Sequence, residues 1–548
     1  MENKKTKIVS IIAIIALVLT LVTATYAYFQ AQTGEGSQAD VKINANTVDT
    51  LTFETGGAIS LALDQTSFAQ GTGNKTGSTF AKAMLTANNK TNNATEHYYL
   101  YLNISSNTFS YTQNENTPEI LLTIKDGSNN EITSINGLTH KTVTDASGAS
   151  ITGFDITNKN GLITIFDSRE ITTTSSKTEE WNVTITYVNY DADQSKNAGK
   201  SFEAKLIIQK EEYQQTLAEY VISQYTGTQG NNNIYHHDGS IKSSSEFKIN
   251  TYDEDDNNIE ITYPAGTILD SNDNSYRYAG PSESVNNFVC FGSTTSPCPT
   301  DNLYRIIGVI DGKVKLIKYD YATSSLLGED GDYKSSDTPN ATDYKGNLTL
   351  ISAYHWNYKA DTTINGGAGS NTWSTSLLNK TNLNTNFLNN IGTEWSSKIA
   401  TTTWKVGGNA ETEIRLAIPS IVYQNEIKNP VSTNTTDNKT EYNAKIGLAY
   451  MSDYGFASSS SAWTLTMEYY FDNIATSNNW MYMGYNEWTI TRRSDMSAAV
   501  FFLAAGGAVY SIDGLVYATY AVRPTFNLVP SVTYKSGIGT MSDPILIN

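Results

Sequence analysis

The chain has 548 residues, which corresponds to roughly three or four domains of ordinary size, or fewer large ones. Lys and Arg total 37 against 55 Asp and Glu, so the net charge of −18 disfavours nucleic acids and anionic membranes as partners. Hydrophobic residues make up 39%, including 35 Tyr and 17 Phe, which excludes a chain that is disordered throughout.

The N-terminus has the pattern of an export signal. Three lysines precede an unbroken apolar stretch over 8–22, and small residues follow it. Cleavage after Ala27 would make Tyr28 the mature N-terminus, whereas an uncut anchor is the alternative because 8–29 is about long enough to span a bilayer. We expect an extracellular, cell-surface protein that contacts the membrane only through this segment.

The two cysteines are close together in the sequence. Gly292, Ser293 and Pro297 favour a turn between Cys290 and Cys298, and this spacing in an exported chain predicts a local disulfide. The alternatives are a zinc site, which would need two further ligands that no nearby His supplies, and a pair of reactive thiols.

Residues 30–210 are predicted to form an all-β sandwich. From about residue 48, apolar residues alternate with others in runs separated by Gly, Asn and Asp, which is typical of half-buried antiparallel strands. The clearest runs are Tyr98, Leu100, Leu102 and Ile104; Ile120, Leu122 and Ile124; Trp181, Val183, Ile185 and Tyr187; and Phe202, Ala204, Leu206 and Ile208. Such alternation buries one face of each sheet against its partner.

The segment 211–257 is predicted to connect two domains. Helical spacing of apolar residues between Tyr213 and Val221 indicates a short helix, and the polar sequence after it indicates a solvated linker. His236 and His237 in this linker lack the spacing of a metal site.

Residues 258–548 are predicted to form a mixed α+β domain. Asp311 and Gly312 between two apolar runs are a strong hairpin signal. Capping residues followed by apolar positions predict helices over 373–378 and 384–391, packed against irregular sheets.

The export junction Tyr26-Ala27-Tyr28-Phe29 and the sandwich after it resemble the TasA/camelysin-type surface and biofilm-matrix proteins of Gram-positive bacteria. The camelysin branch is described as a peptidase. No His-Glu-x-x-His motif occurs in this chain, so the resemblance does not imply that activity here.

The C-terminal region resembles an uncharacterised bacterial surface domain that is distantly similar to the C-type-lectin fold of sulfatase-modifying-factor proteins. The matching series, in order, is Trp373, Ser376 and Leu378; Leu383 and Asn384; Phe387 and Leu388; 487–494; Gly506, Gly507 and Val509; and Val522, Arg523, Pro524, Phe526 and Leu528. The resemblance implies a C-type-lectin-like domain in which the Trp-bearing segment and the final Arg-bearing strand lie together, with ligand-binding loops between them.

The activities of that wider fold do not follow from the resemblance. The oxidase members use a reactive Cys pair near the end of the domain, and this chain has no Cys after Cys298. The sugar-binding lectins use Glu-Pro-Asn or Gln-Pro-Asp calcium motifs, and neither is present. This region can therefore share the fold without having the oxidase activity or the calcium-dependent sugar binding.

The segment 494–520 is the predicted ligand-binding region, because binding residues often lie on loops of a rigid scaffold. Its candidate contacts are Tyr510, Asp513, Tyr517 and Tyr520. The alternative is that the segment forms core strands, which we predict for Phe501, Phe502, Leu503, Val509 and Ile512.

Arg492 and Arg493 are further candidates for a ligand carboxylate, because guanidinium groups bind carboxylates in bidentate geometry. Structural salt bridging is the favoured alternative for both and for Arg523. We predict that Arg523 pairs with a buried acid such as Glu487 or Asp495.

Three acidic clusters, 253–256, 270–274 and 329–332, contain oxygen ligands of the kind that weak extracellular calcium sites use. None is an EF-hand, and solvated turns are the favoured interpretation. We therefore expect no cofactor, with calcium as the alternative to test.

No nucleophile elbow, phosphate-binding loop or paired catalytic His and Asp is found, so an enzyme is not expected. The first hypothesis is an adhesin-like surface protein that binds a glycan or a host or bacterial surface protein through the C-terminal domain. The second is a structural subunit of a surface layer or biofilm fibre that self-assembles through sheet edges. A secreted hydrolase with an unrecognised site is the third.

Overall fold

The structure, a computed structural model, is rich in β-sheet: strands hold 39% of the residues and helices 15%. It describes residues 49–64, 73–88, 93–252, 257–339, 342–360, 362–431, 439–471, 477–510 and 514–548. The predicted export segment, with Ala27 and Tyr28, lies outside these residues. Among the residues described, no helix has both the length and the apolar composition needed to cross a bilayer.

The chain divides into two compact units, Met1–Glu212 and Tyr213–Asn548. The predicted connector 211–257 is therefore corrected, because most of it folds as part of the second unit. Leu217, Val221 and Ile234 are fully buried in the main core of that unit. The apolar face of the predicted helix needs this burial to be stable, since a seven-residue helix is marginal on its own.

The first unit is a β-sandwich. Its strands are β1 (Thr50–Thr55), β2 (Ile59–Ala62), β3 (Lys75–Thr86), β4 (Ala94–Asn107), β5 (Ile120–Asp126), β6 (His140–Thr144), β7 (Ser150–Asp155), β8 (Gly161–Thr173), β9 (Ser176–Tyr187) and β10 (Ser201–Gln209). One sheet has the order β1-β3-β9-β5-β7-β6 and the other has the order β2-β10-β4-β8. All pairings within the two sheets are antiparallel.

The predicted alternation accounts for the core between these sheets. Leu122 and Val183, from β5 and β9, share one cluster with Leu100 and Phe202, from β4 and β10, and all four are fully buried. Neighbouring positions on each strand face away from this cluster because side chains alternate across a strand. The four predicted runs are confirmed as core strands of a sandwich.

The second unit contains many short strands. They are β11 (Ile234–His237), β12 (Phe247–Tyr252), β13 (Asn258–Tyr263), β14 (Ser275–Tyr278), β15 (Phe288–Cys290), β16 (Leu303–Ile310), β17 (Lys313–Lys318), β18 (Tyr333–Asp337), β19 (Ile351–Tyr354), β20 (Thr402–Lys405), β21 (Gly408–Asn409), β22 (Glu441–Ala444), β23 (Ile446–Gly447), β24 (Glu487–Arg493), β25 (Val500–Leu503), β26 (Val509–Tyr510), β27 (Thr525–Asn527), β28 (Tyr534–Ser536) and β29 (Leu546–Ile547). A seven-stranded sheet has the order β11-β14-β16-β17-β27-β23, with β15 also paired to β16, and a four-stranded sheet has the order β21-β24-β25-β26.

The predicted hairpin lies at the centre of the larger sheet. β16 and β17 pair in antiparallel register, with Ile310 opposite Lys313. The two turn residues have positive φ angles, 50° at Asp311 and 68° at Gly312. Because a type I′ turn needs positive φ at both positions, Asp-Gly suits it better than residues with bulkier side chains.

The helices of the second unit are short, and the predicted pair is only partly correct. The α-helices are α1 (Leu217–Ser223), α2 (Ser324–Leu327), α3 (Leu388–Asn390), α4 (Gly392–Ser396), α5 (Glu411–Ile414), α6 (Pro419–Tyr423) and α7 (Met451–Ala457), and π-helical segments cover Leu378–Phe387 and Gln424–Lys428. In the predicted helix over 373–378, residues 373–375 form a turn, and only 377 and 378 are helical. In the segment after it, Leu378, Leu383 and Phe387 are buried at spacings of five and four residues, which suit the wider π-helical turn.

The two neighbouring histidines are part of a strand, so the predicted solvated linker is wrong here. β11 pairs with β14, and His237 is fully buried. Burial lowers the pKa of His237 well below its usual value, so the ring is neutral. Its Nδ1 accepts a hydrogen bond from the backbone amide of Ser271, and its ring packs edge-on against Phe456. His237 is therefore a buried residue of a sheet strand.

The predicted disulfide is confirmed, with an S–S distance of 2.01 Å between Cys290 and Cys298. We expect the double variant Cys290→Ser/Cys298→Ser to lower the free energy of unfolding by about 2–3 kcal/mol, because a short cross-link removes loop entropy from the unfolded chain. Urea unfolding of both proteins measures this difference. Thiol titration should find no free thiol before reduction and two afterwards; two free thiols in the unreduced protein would contradict the bond.

Candidate functional site

The predicted binding segment 494–520 contains β25 and β26, which extend the sheet edge next to β24. Phe502 lies opposite Tyr510 in this register. Phe501, Phe502, Leu503 and Val509 are buried, so their predicted core role is confirmed. Ile512 and Asp513 lie outside the described residues.

Arg523 forms the predicted buried ion pair. Its Nε lies 2.9 Å from each carboxylate oxygen of Glu487, and its Nη2 donates to the carbonyl of Met481 at 2.7 Å. Burial raises the pKa of Glu487, although the neighbouring guanidinium opposes this shift. The pair joins β24 to the chain just before β27, which is a structural role.

The two neighbouring arginines are also enclosed. Arg493 donates to Asp495 at 2.9 Å and lies 3.3 Å from the carboxylate of Glu411. Arg492 donates from Nη2 to the carbonyl of Lys439 at 2.7 Å. Both residues are buried. Arg493 has the favoured salt-bridging role, and Arg492 bonds to backbone carbonyls. Contact of either residue with a ligand stays a prediction.

Tyr510 is half-buried beside the same ion pairs. The guanidinium of Arg415 lies 5.3 Å from the centroid of its ring. Arg415 is itself paired with Glu411 at 2.8 Å and with Glu468 at 2.6 Å. Glu411 therefore links Arg493 to Arg415, and the ring of Tyr510 covers this cluster. Its aromatic face is already used by a cation.

Tyr520 is half-buried and packs against the core of the unit. Its ring centroid lies 4.4 Å from that of Trp488 and 4.6 Å from that of Phe502. Its backbone forms a two-way bridge with Tyr354, in which each amide donates to the other carbonyl at 3.0 and 3.1 Å. Replacing Tyr520 would therefore disturb packing, and its assignment as a ligand contact stays a prediction.

Tyr517 is the one candidate of this segment that the structure describes as an exposed side chain. It is 44% exposed, and its ring faces that of Tyr358 with centroids 6.3 Å apart and planes inclined at 64°. The imidazole of His355 packs beside Tyr358 at 4.8 Å. We call Tyr358, Tyr517 and His355 the aromatic corner.

The backbone under the aromatic corner is held from several sides. His355 donates from Nδ1 to the carbonyl of Tyr517 at 2.6 Å, and Trp356 donates its amide to Val516 at 3.0 Å. Gly369 fits closely below, since a Cβ there would lie 2.9 Å from the side chain of Val516. The two chain segments are therefore fixed to each other.

Two buried polar side chains fix the residues around Tyr358. Asp332 is fully buried, and its carboxylate accepts amide hydrogen bonds from Lys359, Leu377 and Leu378 at 2.9–3.1 Å. Asn357 is also fully buried, and its amide group donates to Ser370, Thr372 and Thr375 at 2.9–3.2 Å. A carboxylate with several amide donors is a strong local anchor.

Sequence reasoning found Tyr517 but missed Tyr358 and His355. Their signal is the run Tyr354-His355-Trp356-Asn357-Tyr358, in which four of five side chains are aromatic rings. His355 and Tyr517 are 162 positions apart, so only the fold brings them together.

The acidic clusters form structured turns. Asp270 and Asp332 are buried, which corrects the predicted solvated turns at both. The carboxylate of Asp270 accepts amide hydrogen bonds from Gly239, Ile241 and Asn272. Within the described ranges, no group of three His, Cys, Asp or Glu residues converges as a metal site requires. The cluster 253–256 lies outside those ranges.

Comparison with known proteins does not assign this chain to a family. No protein-family model matches the chain, and no curated protein matches it significantly.

Proposed function

We propose that the protein is an exported bacterial cell-surface binding protein whose second unit recognises an extracellular glycan or protein. The observation that carries the proposal is the exposed ring of Tyr517, held over a backbone that buried polar groups fix in place. An aromatic side chain with one wet edge is a frequent contact residue in recognition sites. Two features of the sequence also support the proposal: the predicted export signal, and a strongly acidic composition without the catalytic motifs named above.

The proposal includes a C-type-lectin-like fold for the second unit. Its support is the ordered sequence resemblance, together with the position of the last Arg-bearing segment beside the Trp-bearing strand. Trp488 donates its amide to the carbonyl of Ala521 at 3.0 Å, and Glu487 pairs with Arg523. In the wider fold, loops between these two elements form the ligand face, and Tyr517 lies on that stretch of chain.

Tyr517→Ala is expected to weaken binding to the ligand at least about tenfold while the melting temperature changes by no more than about 2 °C, because the side chain is exposed. The measurement is a comparison of wild type and variant on arrays of glycans and immobilised surface proteins. Phe471→Ala is the matched control, since Phe471 is 41% exposed. Full retention of binding by Tyr517→Ala would contradict the site.

A second candidate function is a structural subunit of a surface layer or biofilm fibre. The observation that favours it is that β1 and β6 are the outermost strands of one sheet of the sandwich, and β2 and β8 of the other, within the described part of the chain. Outermost strands can add a strand from another copy. Light scattering and electron microscopy over a concentration series distinguish the functions: growing fibres favour the subunit, and a persistent monomer favours the binding protein.

A further inference from the structure

We infer that the aromatic corner is a binding site for a neutral pyranose sugar. This inference rests on the proposed binding function and names the chemical class of its ligand. It starts from the geometry of two rings inclined at 64° with centroids 6.3 Å apart. One ring can supply a flat face for a sugar ring, and the other can supply a flanking wall.

One side chain of the aromatic corner is exposed although the chain beneath it is held firmly in place. Tyr517 remains 44% exposed, although buried Asp332 and Asn357 fix the chain beside it. Asp332 and Asn357 therefore hold in place an aromatic surface that contributes little to the hydrophobic core. Because the backbone there is already ordered, a binding ligand does not incur the entropy cost of ordering it. Such preorganisation increases affinity.

The polar groups of the corner are uncharged. Burial lowers the pKa of His355, so the ring is neutral, and its Nδ1–H is already used by the carbonyl of Tyr517. The ammonium of Lys359 is bonded to the carbonyl of Tyr333, and the carboxylate of Asp332 is occupied by amides. The groups of the aromatic corner itself that can bind a ligand are the two tyrosine hydroxyls, each of which can donate and accept.

These features favour a neutral sugar over other ligands. The C–H faces of a pyranose pack on aromatic rings, and its hydroxyls match those of the tyrosines. Anionic polysaccharides are disfavoured because the chain carries a net charge of −18. An extended peptide would need a free backbone edge, and the segment at Tyr517 is already bonded to the segment at Tyr358 through Val516 and Trp356.

The experiment is saturation-transfer NMR and calorimetric titration of the full chain with chitotetraose, cellotetraose and mannotetraose, with a hyaluronan oligosaccharide as the anionic comparison. We expect at least one neutral oligosaccharide to bind. Tyr358→Ala and Tyr517→Ala should each weaken binding about tenfold or more, because an aromatic contact carries much of the energy of a small site. Tyr358→Phe should lose less binding affinity, since only the hydroxyl is removed. Phe471→Ala should bind the sugar as tightly as the wild type does.

Binding of none of the neutral sugars, binding of the anionic sugar alone, or sugar binding that both alanine variants retain would overturn the inference. Thermal unfolding of each variant separates loss of a contact from loss of the fold. If a protein ligand binds and Tyr517→Ala abolishes that binding while no neutral sugar binds, the sugar site fails and the proposed recognition function stands. If neither sugars nor proteins bind, both fail.

Discussion

Asp453→Asn is expected to lower the free energy of unfolding of the second unit by about 3–5 kcal/mol, because the change leaves the buried Lys315 without its carboxylate partner and removes one of the two partners of Arg277. Asp453 is 3% exposed. Its carboxylate lies 2.5 Å from the ammonium of Lys315 and 3.2 Å from the guanidinium of Arg277. Urea unfolding followed by tryptophan fluorescence measures the effect, since every tryptophan except Trp181 lies in the second unit.

The size of this effect follows from the surroundings of the two cations. Arg277 retains Asp273, whose carboxylate lies 3.0 Å away, after the substitution. Lys315 loses the carboxylate that its ammonium contacts and remains packed against the ring of Tyr450, 4.6 Å from its centroid. Burial already lowers the pKa of Lys315, so loss of its proton limits the penalty.

An exposed ion pair provides the matched control for this substitution. Lys248 and Glu260 are 2.7 Å apart, with side chains 50% and 49% exposed. Glu260→Gln removes the same charge and should change the free energy of unfolding by less than about 1 kcal/mol, because solvent screens exposed pairs. Equal effects of the two substitutions would show that the buried network does not have the assigned role.

The sequence predicted those parts of the fold that depend on local rules. Alternation over Tyr98–Ile104 fixed which side chains of β4 face the core, and the Asp311-Gly312 pair specified the central hairpin. The spacing of Cys290 and Cys298 predicted their bond. Each of these features needs only a few neighbouring residues, so its physical cause is visible in a short stretch of chain.

Features that depend on tertiary contacts were not predictable in the same way. A polar-looking segment around His237 became a buried strand because β14 supplied its hydrogen bonds and Phe456 its packing. Tyr517 and Tyr520 have the same residue type and lie three positions apart, yet only Tyr517 is exposed because Trp488 and Phe502 enclose Tyr520. Local sequence does not contain that difference.

The second unit should lose stability as the pH rises from about 4.5 to about 7, because over that range the unfolded chain releases the proton of Glu426 while the folded chain retains it. Its side chain is buried, and burial raises its pKa from about 4.5 to about 7 despite hydrogen bonds from Met451, Ser452 and Thr491. Below pH 4.5 the folded and unfolded chains both hold the proton, so there is no penalty. Above pH 7 the fold contains a buried carboxylate, and the full penalty is about 3 kcal/mol.

Glu426→Gln isolates this group from all other titrations, including the buried Glu487, whose pKa is also raised. The glutamine side chain cannot ionise. Its NH₂ group faces a backbone N–H donor, and this unfavourable contact lowers stability at every pH. The free energy of unfolding of the variant, measured relative to wild type, should therefore rise by about 3 kcal/mol between pH 4.5 and pH 8. Urea unfolding of both proteins across this range gives the difference. A difference that stays constant with pH would mean that Glu426 is already ionised at the lowest pH, with its three hydrogen bonds outweighing the cost of burial.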